Sequence, residues 1–391
     1  MAQESEVVAK QQAATNGKST AGKAGLEDVV AGTSEICYLD GKRGILAYRG
    51  YDIHDLVKGE FEETAYLLFY GKLPNTSELS EFKKKLVTAR KLPQQIKDRI
   101  SQLPKNVHPM AVLRTVVSEL GFYDASAEDM TPAANADKGI RMMAQIPLII
   151  AYYDAARNGR NAPEPKDNLS HAANFLYMLL GSEQDARVVK MFDAALTLHA
   201  DHELNASTFT GRVIAATLSD IYSAVVGAIG ALKGPLHGGA NEQVMRMLLK
   251  INDPNNAKNW ITDALARKDK IMGFGHRVYR TEDPRATHLR KFSEEMGQRT
   301  GQTQWYQISR TVEDFIKQEK GLYANVDFYS ASTYHLMGIP LDLYTPIFAM
   351  SRVSGWVAHI LEQYANNRLI RPTAEYIGNV DQTYLPLADR K

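Results

Sequence analysis

Hydrophobic residues recur at helical spacing along almost the whole chain after Asp52, and no predicted strand alternates with the helical segments. The only convincing β pattern comes earlier, where 34–39 and 45–48 flank the turn DGKRG at 40–44. The sequence therefore predicts an all-α fold with one small N-terminal hairpin. The predicted helices are 61–70, 77–89, 93–102, 109–122, 131–158, 168–180, 186–200, 207–232, 242–251, 257–266, 283–300, 303–319, 328–337 and 346–367.

Composition excludes several classes of function. The 391 residues carry 46 basic and 45 acidic side chains, so a net charge of +1 gives no electrostatic reason to expect binding to nucleic acid or to an anionic membrane. A single cysteine, Cys37, excludes an internal disulfide framework and fits a reducing compartment, so we expect a cytoplasmic protein. Residues 1–23 are polar and lack the apolar core of a signal peptide, which predicts a disordered tail.

The segment 213–232 is apolar enough to raise the question of a membrane span. It contains 20 residues and a single charge, that of Asp220. Its many Ala, Gly, Ser and Thr residues lower its hydrophobicity, and the sequence has no second segment of this kind. Small residues let helices approach closely, so we predict a buried, closely packed helix.

The motif GPLHGGAN at 234–241 joins two predicted helices around one imidazole, His237. Its Gly-Pro pair ends the first helix, and the Gly-Gly pair after His237 keeps side chains away from whatever approaches the ring. A second helix that begins near 241 points its positive end at His237, which favours a neutral ring that donates a hydrogen bond. Taken alone, the motif fits a buried histidine in a helix–helix turn equally well.

A second polar motif, HADHELNASTFTGR at 199–212, places His199 and His202 three positions apart on one predicted helix face. Two imidazoles at this spacing can bind one ion, which makes a metal site the alternative interpretation. The motif is not the HExxH of zinc peptidases and has no further convincing ligand set, so no metal is predicted. The residues Asn-Ala-Ser at 205–207 predict a break, with Ser207 as the N-cap of the next helix.

The loop IMGFGHRVYRTEDPR at 271–285 combines glycines with cations. Gly273 and Gly275 let the backbone approach a ligand closely, and His276 follows directly. Asp283 and a proline predict an N-cap and a first turn, so Arg285 lies where the helix dipole disfavours a cation unless an anion docks there. The glycines fall short of a nucleotide-binding motif, and a structural basic loop is the alternative.

Two further features place charge among apolar residues. In NVDFYS at 325–330, Val and Phe flank Asp327, so desolvation is expected to raise its pKa and its basicity; an N-cap for the helix at 328 is the alternative. Arg352 interrupts an apolar helix, which is unusual without an anionic partner, and Arg371 follows the end of that helix. Each arginine alone also fits a structural role.

Taken together, these motifs resemble the citrate synthase family in their order and separations. The resemblance rests on GPLHGGAN, GFGHRVY followed by DPR, NVDFYS, SRVSGWVAH and RP, and it covers 26–390. It is closer to the short bacterial and archaeal form, because the sequence shows no additional β-rich N-terminal domain. It implies an all-α large domain (26–237 and 333–391), a small domain (238–332) that closes over the substrate, a tail (1–25), and a homodimer packed through 213–232.

The resemblance also implies a role for each motif in condensing acetyl-CoA with oxaloacetate, without a metal or other cofactor. His237 would hold the thioester carbonyl, Asp327 would remove a methyl proton, and His276 would donate a proton to the ketone oxygen. The residues implied for the oxaloacetate carboxylates are His202, Arg285, Arg352 and, across the dimer interface, Arg371. Those expected to contact CoA are Lys270, Ile271, Gly273, Phe274, Gly275, Arg277 and Arg280.

Three alternative functions remain open at this point. A 2-methylcitrate synthase shares these residues and uses propionyl-CoA, although the contexts NVDFYSAS and YHLMGIP favour citrate synthases. A non-catalytic helical dimer that binds CoA or a dicarboxylate would show no turnover. A metal-binding helical protein would carry a stoichiometric metal and would respond to a chelator.

Overall fold

The computed structural model describes residues 24–26 and 29–390, so most of the predicted disordered tail lies outside the described residues. In the described part, the chain is all-α with one small sheet, as predicted. The helices are α1 (Ile53–Leu56), α2 (Phe61–Tyr70), α3 (Thr76–Ala89), α4 (Gln94–Gln102), α5 (Pro109–Leu120), α6 (Pro132–Arg157), α7 (His171–Leu180), α8 (Ala186–His199), α9 (Ala206–Ala215), α10 (Ile221–Leu232), α11 (Ala240–Ile251), α12 (Ala257–Ala266), α13 (Pro284–Thr300), α14 (Gln304–Lys320), α15 (Val326–Leu336) and α16 (Tyr344–Ala365).

The predicted hairpin is part of a three-stranded antiparallel sheet made of β1 (Cys37–Asp40), β2 (Ile45–Tyr48) and β3 (Tyr51–Asp52). Strands β1 and β2 pair from Cys37 opposite Tyr48 to Asp40 opposite Ile45. Strand β3 is not predicted from the sequence. It follows a two-residue turn in which Arg49 and Gly50 both have positive φ (50° and 86°), and arginine in such a conformation is hard to foresee.

The predicted continuous helix over 207–232 is wrong, because the chain forms two helices, α9 and α10, with a break between them. Leu218 in the break has a φ of 63°. Asp220 then caps α10 by accepting the N–H of Ser223 at 2.9 Å. Across the described residues, the search for a helix long and apolar enough to cross a membrane finds none.

Helix α16 lies at the centre of the core. Most of its side chains are buried, and it packs against α2, α6, α8, α9 and α10. Helices α13 and α15 pack against each other, and α15 also contacts α11. The polar motifs of the sequence lie at the ends of these helices and on α16. Several helices therefore contribute polar residues to the same region.

The chain divides into two compact units. Ser34–Leu369 forms one unit, and the described residues before Ser34 together with Ile370–Lys391 form the other. In the described part of the C-terminal segment, regular structure is limited to a 3₁₀ turn at Leu387–Asp389, and Arg371 is exposed. The division into a large and a small domain at 238 and 332 stays a prediction.

Candidate active site

Six predicted site residues share one site in the unit Ser34–Leu369: His202, His237, His276, Arg285, Asp327 and Arg352. The rings of His202 and His276 lie 5.0 Å apart. The charges of Arg285 and Arg352 both act on His202 and on Asp327. Arg371 belongs to the other unit and is not among these six.

Arg285 is buried in the first turn of α13, and a carboxylate of its own helix compensates its charge. Asp283, the predicted N-cap, accepts the N–H of Arg285 at 3.0 Å. The same carboxylate accepts two guanidinium hydrogen bonds, from Nε at 2.9 Å and from Nη2 at 2.7 Å. It also accepts the N–H of Val326 at 3.2 Å, so Asp283 links the N-termini of α13 and α15. The anion expected beside Arg285 is therefore, in part, the carboxylate of Asp283.

Arg352 lies on α16 with only 1% of its surface exposed. Its Nε donates to the backbone carbonyl of His199 at 2.7 Å, and its guanidinium lies 4.7 Å from the centre of the Phe348 ring. Within the described residues it forms no ion pair with a carboxylate. A buried cation that lacks an acidic partner is costly, so this side chain is suited to bind an anionic ligand.

His237 lies in the loop directly before α11 and contacts the first turn of α9. Its Nε2 lies 2.8 Å from the hydroxyl oxygen of Ser207, which also accepts the Nε1–H of Trp356 at 3.1 Å. Burial, and then the charge of Arg352, lower the pKa of His237 to about 4, so the ring is neutral as predicted. The predicted N-cap role of Ser207 is wrong, because Asn205 caps α9 and leaves the Ser207 hydroxyl close to the imidazole.

Gly238 follows His237, and the structure gives a reason for this glycine other than the predicted access to the imidazole. A Cβ on Gly238 would lie 2.6 Å from the carbonyl oxygen of Leu232, closer than any real contact. Glycine is therefore needed at 238 because the loop folds back onto the end of α10.

His276 has a fixed proton position. Its Nδ1 accepts the backbone N–H groups of Val278 at 3.0 Å and Tyr279 at 3.2 Å. Because amides only donate, the neutral ring carries its proton on Nε2. Burial, followed by the charge of Arg285, lowers the pKa of His276 to about 4. The ring is thus a neutral Nε2–H donor at physiological pH.

His202 and His199 do not share a helix face, contrary to the prediction, because α8 ends at His199 and His202 lies in the turn beyond it. Burial and then Arg285 lower the pKa of His202, whose Nε2 lies 3.3 Å from the hydroxyl of Tyr279. The Nδ1 of His199 instead contacts the carbonyl of Ala195 at 2.7 Å. Among the described residues, no cluster of three or more His, Cys, Asp or Glu side chains could hold a metal ion.

Asp327 is the second residue of α15, and its carboxylate accepts no hydrogen bond from the described residues. Burial raises its pKa to about 7, against the opposing charges of Arg285 and Arg352. Asn325, rather than Asp327, caps the helix by accepting the N–H of Asp327 at 3.0 Å. A carboxylate that is half-buried, unpaired and raised in pKa is suited to act as a general base.

The loop before His276 pairs with the chain entering α15. The N–H of Gly275 donates to the carbonyl of Tyr323 at 2.9 Å, and that of Asn325 donates to the carbonyl of Gly273 at 2.9 Å. A Cβ on Gly273 would lie 2.8 Å from Phe328, so this glycine serves close packing within the protein. An adjoining cavity of about 140 Å³ is lined by Gly275, His276, Tyr279, Arg280, Thr281, Asp283, Gly321, Leu322, Tyr323, Ala324 and Asn325.

The side chains predicted to contact CoA differ in exposure. The three cations Lys270, Arg277 and Arg280 are exposed, whereas Ile271 and Phe274 are half-buried. Arg280 also lines the cavity, and exposed cations suit a ligand that carries phosphates.

The chain is similar to known proteins along almost its whole length. Residues 25–373 match the family model described as citrate synthase, C-terminal domain. Citrate synthase 2 of Bacillus subtilis is 52% identical to the chain over 94% of its length and 98% of the relative. The citrate synthase of Haloferax volcanii is 50% identical, covering 94% and 99% of the two chains.

The chain belongs to the citrate synthase family. A solved citrate synthase from Thermoplasma acidophilum, in a ternary complex with carboxymethyl coenzyme A and oxaloacetate, superposes with a TM-score of 0.89 at 36% identity, over 94% of this chain and 98% of that one. The 2-methylcitrate synthase of Shewanella oneidensis also matches, at 43% identity over 94% of this chain and 98% of the relative. Citrate synthases are thus favoured over 2-methylcitrate synthases among the similar proteins.

Replacing Asp283 by Asn tests whether this carboxylate is what allows Arg285 to be buried. The amide keeps the capping oxygen but removes the compensating charge, so we expect a loss of about 3–5 kcal/mol in the free energy of unfolding. Denaturant unfolding measures it. The control is Asp269→Asn, which breaks an exposed pair with Arg267 and should cost far less. Equal losses in both variants would contradict the role given to Asp283.

Proposed function

We propose that the chain is a citrate synthase that condenses acetyl-CoA and oxaloacetate with water to give citrate and CoA. The observation that carries the proposal is the unpaired carboxylate of Asp327, with a pKa near 7, in one site with two neutral histidines. The complex solved for the relative from Thermoplasma acidophilum, which contains a CoA analogue and oxaloacetate, supports the pair of substrates.

In the first step, Asp327 removes a proton from the methyl group of acetyl-CoA while His237 donates a hydrogen bond to the thioester oxygen. A thioester methyl is a weak carbon acid, so the carboxylate needs help at the oxygen where charge develops. We assign the proton of His237 to Nδ1, since Nε2 faces the hydroxyl and the N–H of Ser207. The oxygen takes up the Nδ1–H proton to form the enol, and this proton returns to Nδ1 when the enol carbon attacks and the thioester carbonyl re-forms.

In the second step, the enol carbon attacks the ketone carbon of oxaloacetate, and the Nε2–H of His276 donates its proton to the ketone oxygen. Guanidinium groups match carboxylates in bidentate geometry, so Arg285 and Arg352 hold the dicarboxylate together with His202. Water then cleaves the citryl thioester to release citrate and CoA as the free thiol. No step of this scheme calls on a metal or a further cofactor.

The proposal includes a homodimer in which Arg371 of one subunit completes the oxaloacetate site of the other. Six large apolar side chains of the C-terminal segment are exposed in one copy, which is typical of an interaction surface: Tyr376, Ile377, Val380, Tyr384, Leu385 and Leu387. Residues 238–332 would close over the substrates and exclude water until the enol has formed. Lys270, Arg277 and Arg280 would bind the CoA phosphates, and the enzyme would work in the cytoplasm.

Release of the CoA thiol in the presence of oxaloacetate, compared between acetyl-CoA and propionyl-CoA, tests the function. We expect a strong preference for acetyl-CoA, and a loss of turnover by several orders of magnitude in Asp327→Ala with oxaloacetate binding retained. A preference for propionyl-CoA would identify a 2-methylcitrate synthase instead. Absence of release with both thioesters would refute the catalytic proposal, and normal turnover in the variant would refute the role of Asp327.

The pH dependence of kcat/KM for acetyl-CoA should report the raised pKa of Asp327. Because the base acts only when ionised, kcat/KM should rise about tenfold per pH unit below about pH 7 and level off above it. The histidines, with pKa values of about 4, stay neutral from pH 5 to 9 and add no further inflection. A flat profile from pH 5 to 8 would show that the base has an ordinary carboxylate pKa.

Mixed dimers test the assignment of Arg371 across the interface. Arg371→Ala should mainly raise the KM for oxaloacetate, and Asp327→Ala should abolish turnover. If each site combines Asp327 of one subunit with Arg371 of the other, a heterodimer of the two variants keeps one intact site and regains activity. Mixing without any gain would place Arg371 outside the site of the neighbouring subunit.

A further inference from the structure

The turn that carries His202 is held from behind by a buried pair that the proposed mechanism does not use. Asp201 is fully buried and His359, on α16, is 1% exposed. The Nε2 of His359 lies 3.2 Å from Oδ1 and 3.3 Å from Oδ2 of Asp201. The contact joins residues 158 positions apart, so it connects two elements that each carry a group of the site.

The surroundings of His359 fix where its proton lies. Its Nδ1 lies 3.4 Å from Nη1 of Arg212, a guanidinium that can only donate. Nδ1 therefore accepts, which places the ring proton on Nε2, directed at Asp201. Arg212 is itself held by Gln363 and Glu362 on the same helix. The ring thus has one donor facing Asp201 and one acceptor facing Arg212.

Asp201 in turn fixes the backbone on both sides of itself. Its Oδ2 accepts the N–H of Glu203 at 3.1 Å, and Glu203 has a φ of 54°, a conformation that non-glycine residues rarely adopt. The hydroxyl of Tyr48 donates to the carbonyl of Asp201 at 2.9 Å and accepts its N–H at 3.3 Å. His202 lies between these two constrained residues, so its position follows from them.

The same face of α16 carries Arg352. His359 follows it by seven residues, which is two helical turns, and Gly355 lies between them. A Cβ on Gly355 would lie 2.3 Å from the carbonyl oxygen of Ala200 and 2.5 Å from Oδ1 of Asp201. The helix and the turn are therefore in direct backbone contact, and Arg352 donates to the carbonyl of His199 within the same contact at 2.7 Å.

We propose that Asp201 and His359 form a positioning pair that sets the affinity for oxaloacetate by holding His202 and Arg352 in register. This inference rests on the proposed function. Loss of the hydrogen bond would free the strained turn, and bidentate recognition of a carboxylate tolerates little displacement. The proposed mechanism assigns no substrate contact to this pair, and the groups proposed to act on the thioester, Asp327 and His237, lie on other elements.

Two substitutions at one position separate positioning from simple loss of a buried side chain. His359→Leu removes both hydrogen bonds, whereas the amide of His359→Gln can donate to Asp201 and accept from Arg212. We expect His359→Leu to raise the KM and the Kd for oxaloacetate 10- to 100-fold and to leave the KM for acetyl-CoA within about twofold. His359→Gln should stay within about threefold of the wild type on both.

The matched control is His171→Leu, the same change at a buried histidine of α7 whose Nε2 has no hydrogen-bond partner in the described structure. It should leave the affinity for oxaloacetate unchanged. Unchanged affinity in His359→Leu would overturn the inference, and so would a His359→Gln variant that fails to restore affinity. Should His359→Leu not fold, His359→Gln decides alone, because more than tenfold weaker oxaloacetate binding in that variant would overturn the positioning role.

Two wild-type measurements keep this inference separate from the proposed function. Titration calorimetry with oxaloacetate alone shows whether the wild type binds the substrate; no binding would refute the proposed function itself. Nitrogen NMR of labelled histidines, assigned with His359→Gln, should show the His359 ring protonated on Nε2 and not on Nδ1. A ring protonated on Nδ1 would overturn the inference even in an active enzyme.

Discussion

Burial of two guanidinium groups inside a helical core is the constraint on which the rest of the site depends. Arg285 and Arg352 are 2% and 1% exposed, and a cation taken out of water this completely needs compensation. Arg285 receives it from Asp283, which also ties α13 to α15. Within the described residues, Arg352 forms no ion pair and receives a backbone carbonyl, an aromatic face and the more distant charge of Asp201. The unequal compensation leaves net positive charge in the site, which suits the dicarboxylate of the proposed function.

The site lies at helix ends, where the residues that cap the helices also contact neighbouring segments. Asp283 caps α13 and accepts the N–H of Val326 at the start of α15. Asn325 caps α15 and donates from its side chain to the carbonyl of Gly275, in the loop that precedes α13. Backbone N–H groups that would be unsatisfied at these termini are thereby used to fix the side chains that surround the ligand. The close approach of α16 to the turn after α8 serves the same purpose, since a glycine on the helix removes the atom that would keep them apart.

The sequence indicates Asp327 and Arg352 because each places a charge among apolar residues, although each taken alone also fits a structural role. The order and separations of these residues and of the glycine-rich motif of His237, taken together as a resemblance to the family, predict their place in one site. Ser207 is not indicated, because a serine at the start of a helix also fits an N-cap, and its contact with His237 spans 30 positions. The break before α10 has no signal either, since it depends on Leu218 in a left-handed conformation that tertiary packing imposes.

The same two influences give the histidines and the aspartate opposite protonation states. Burial disfavours any charge, so it lowers the pKa of His237 and His276 and raises that of Asp327. The arginines lower the pKa of all three groups, which reinforces burial for the histidines and opposes it for the aspartate. The result is a pKa of about 4 for the rings and about 7 for the carboxylate. Near neutral pH the rings therefore remain uncharged donors while much of the carboxylate is an anionic base, the combination that enolisation of a thioester requires.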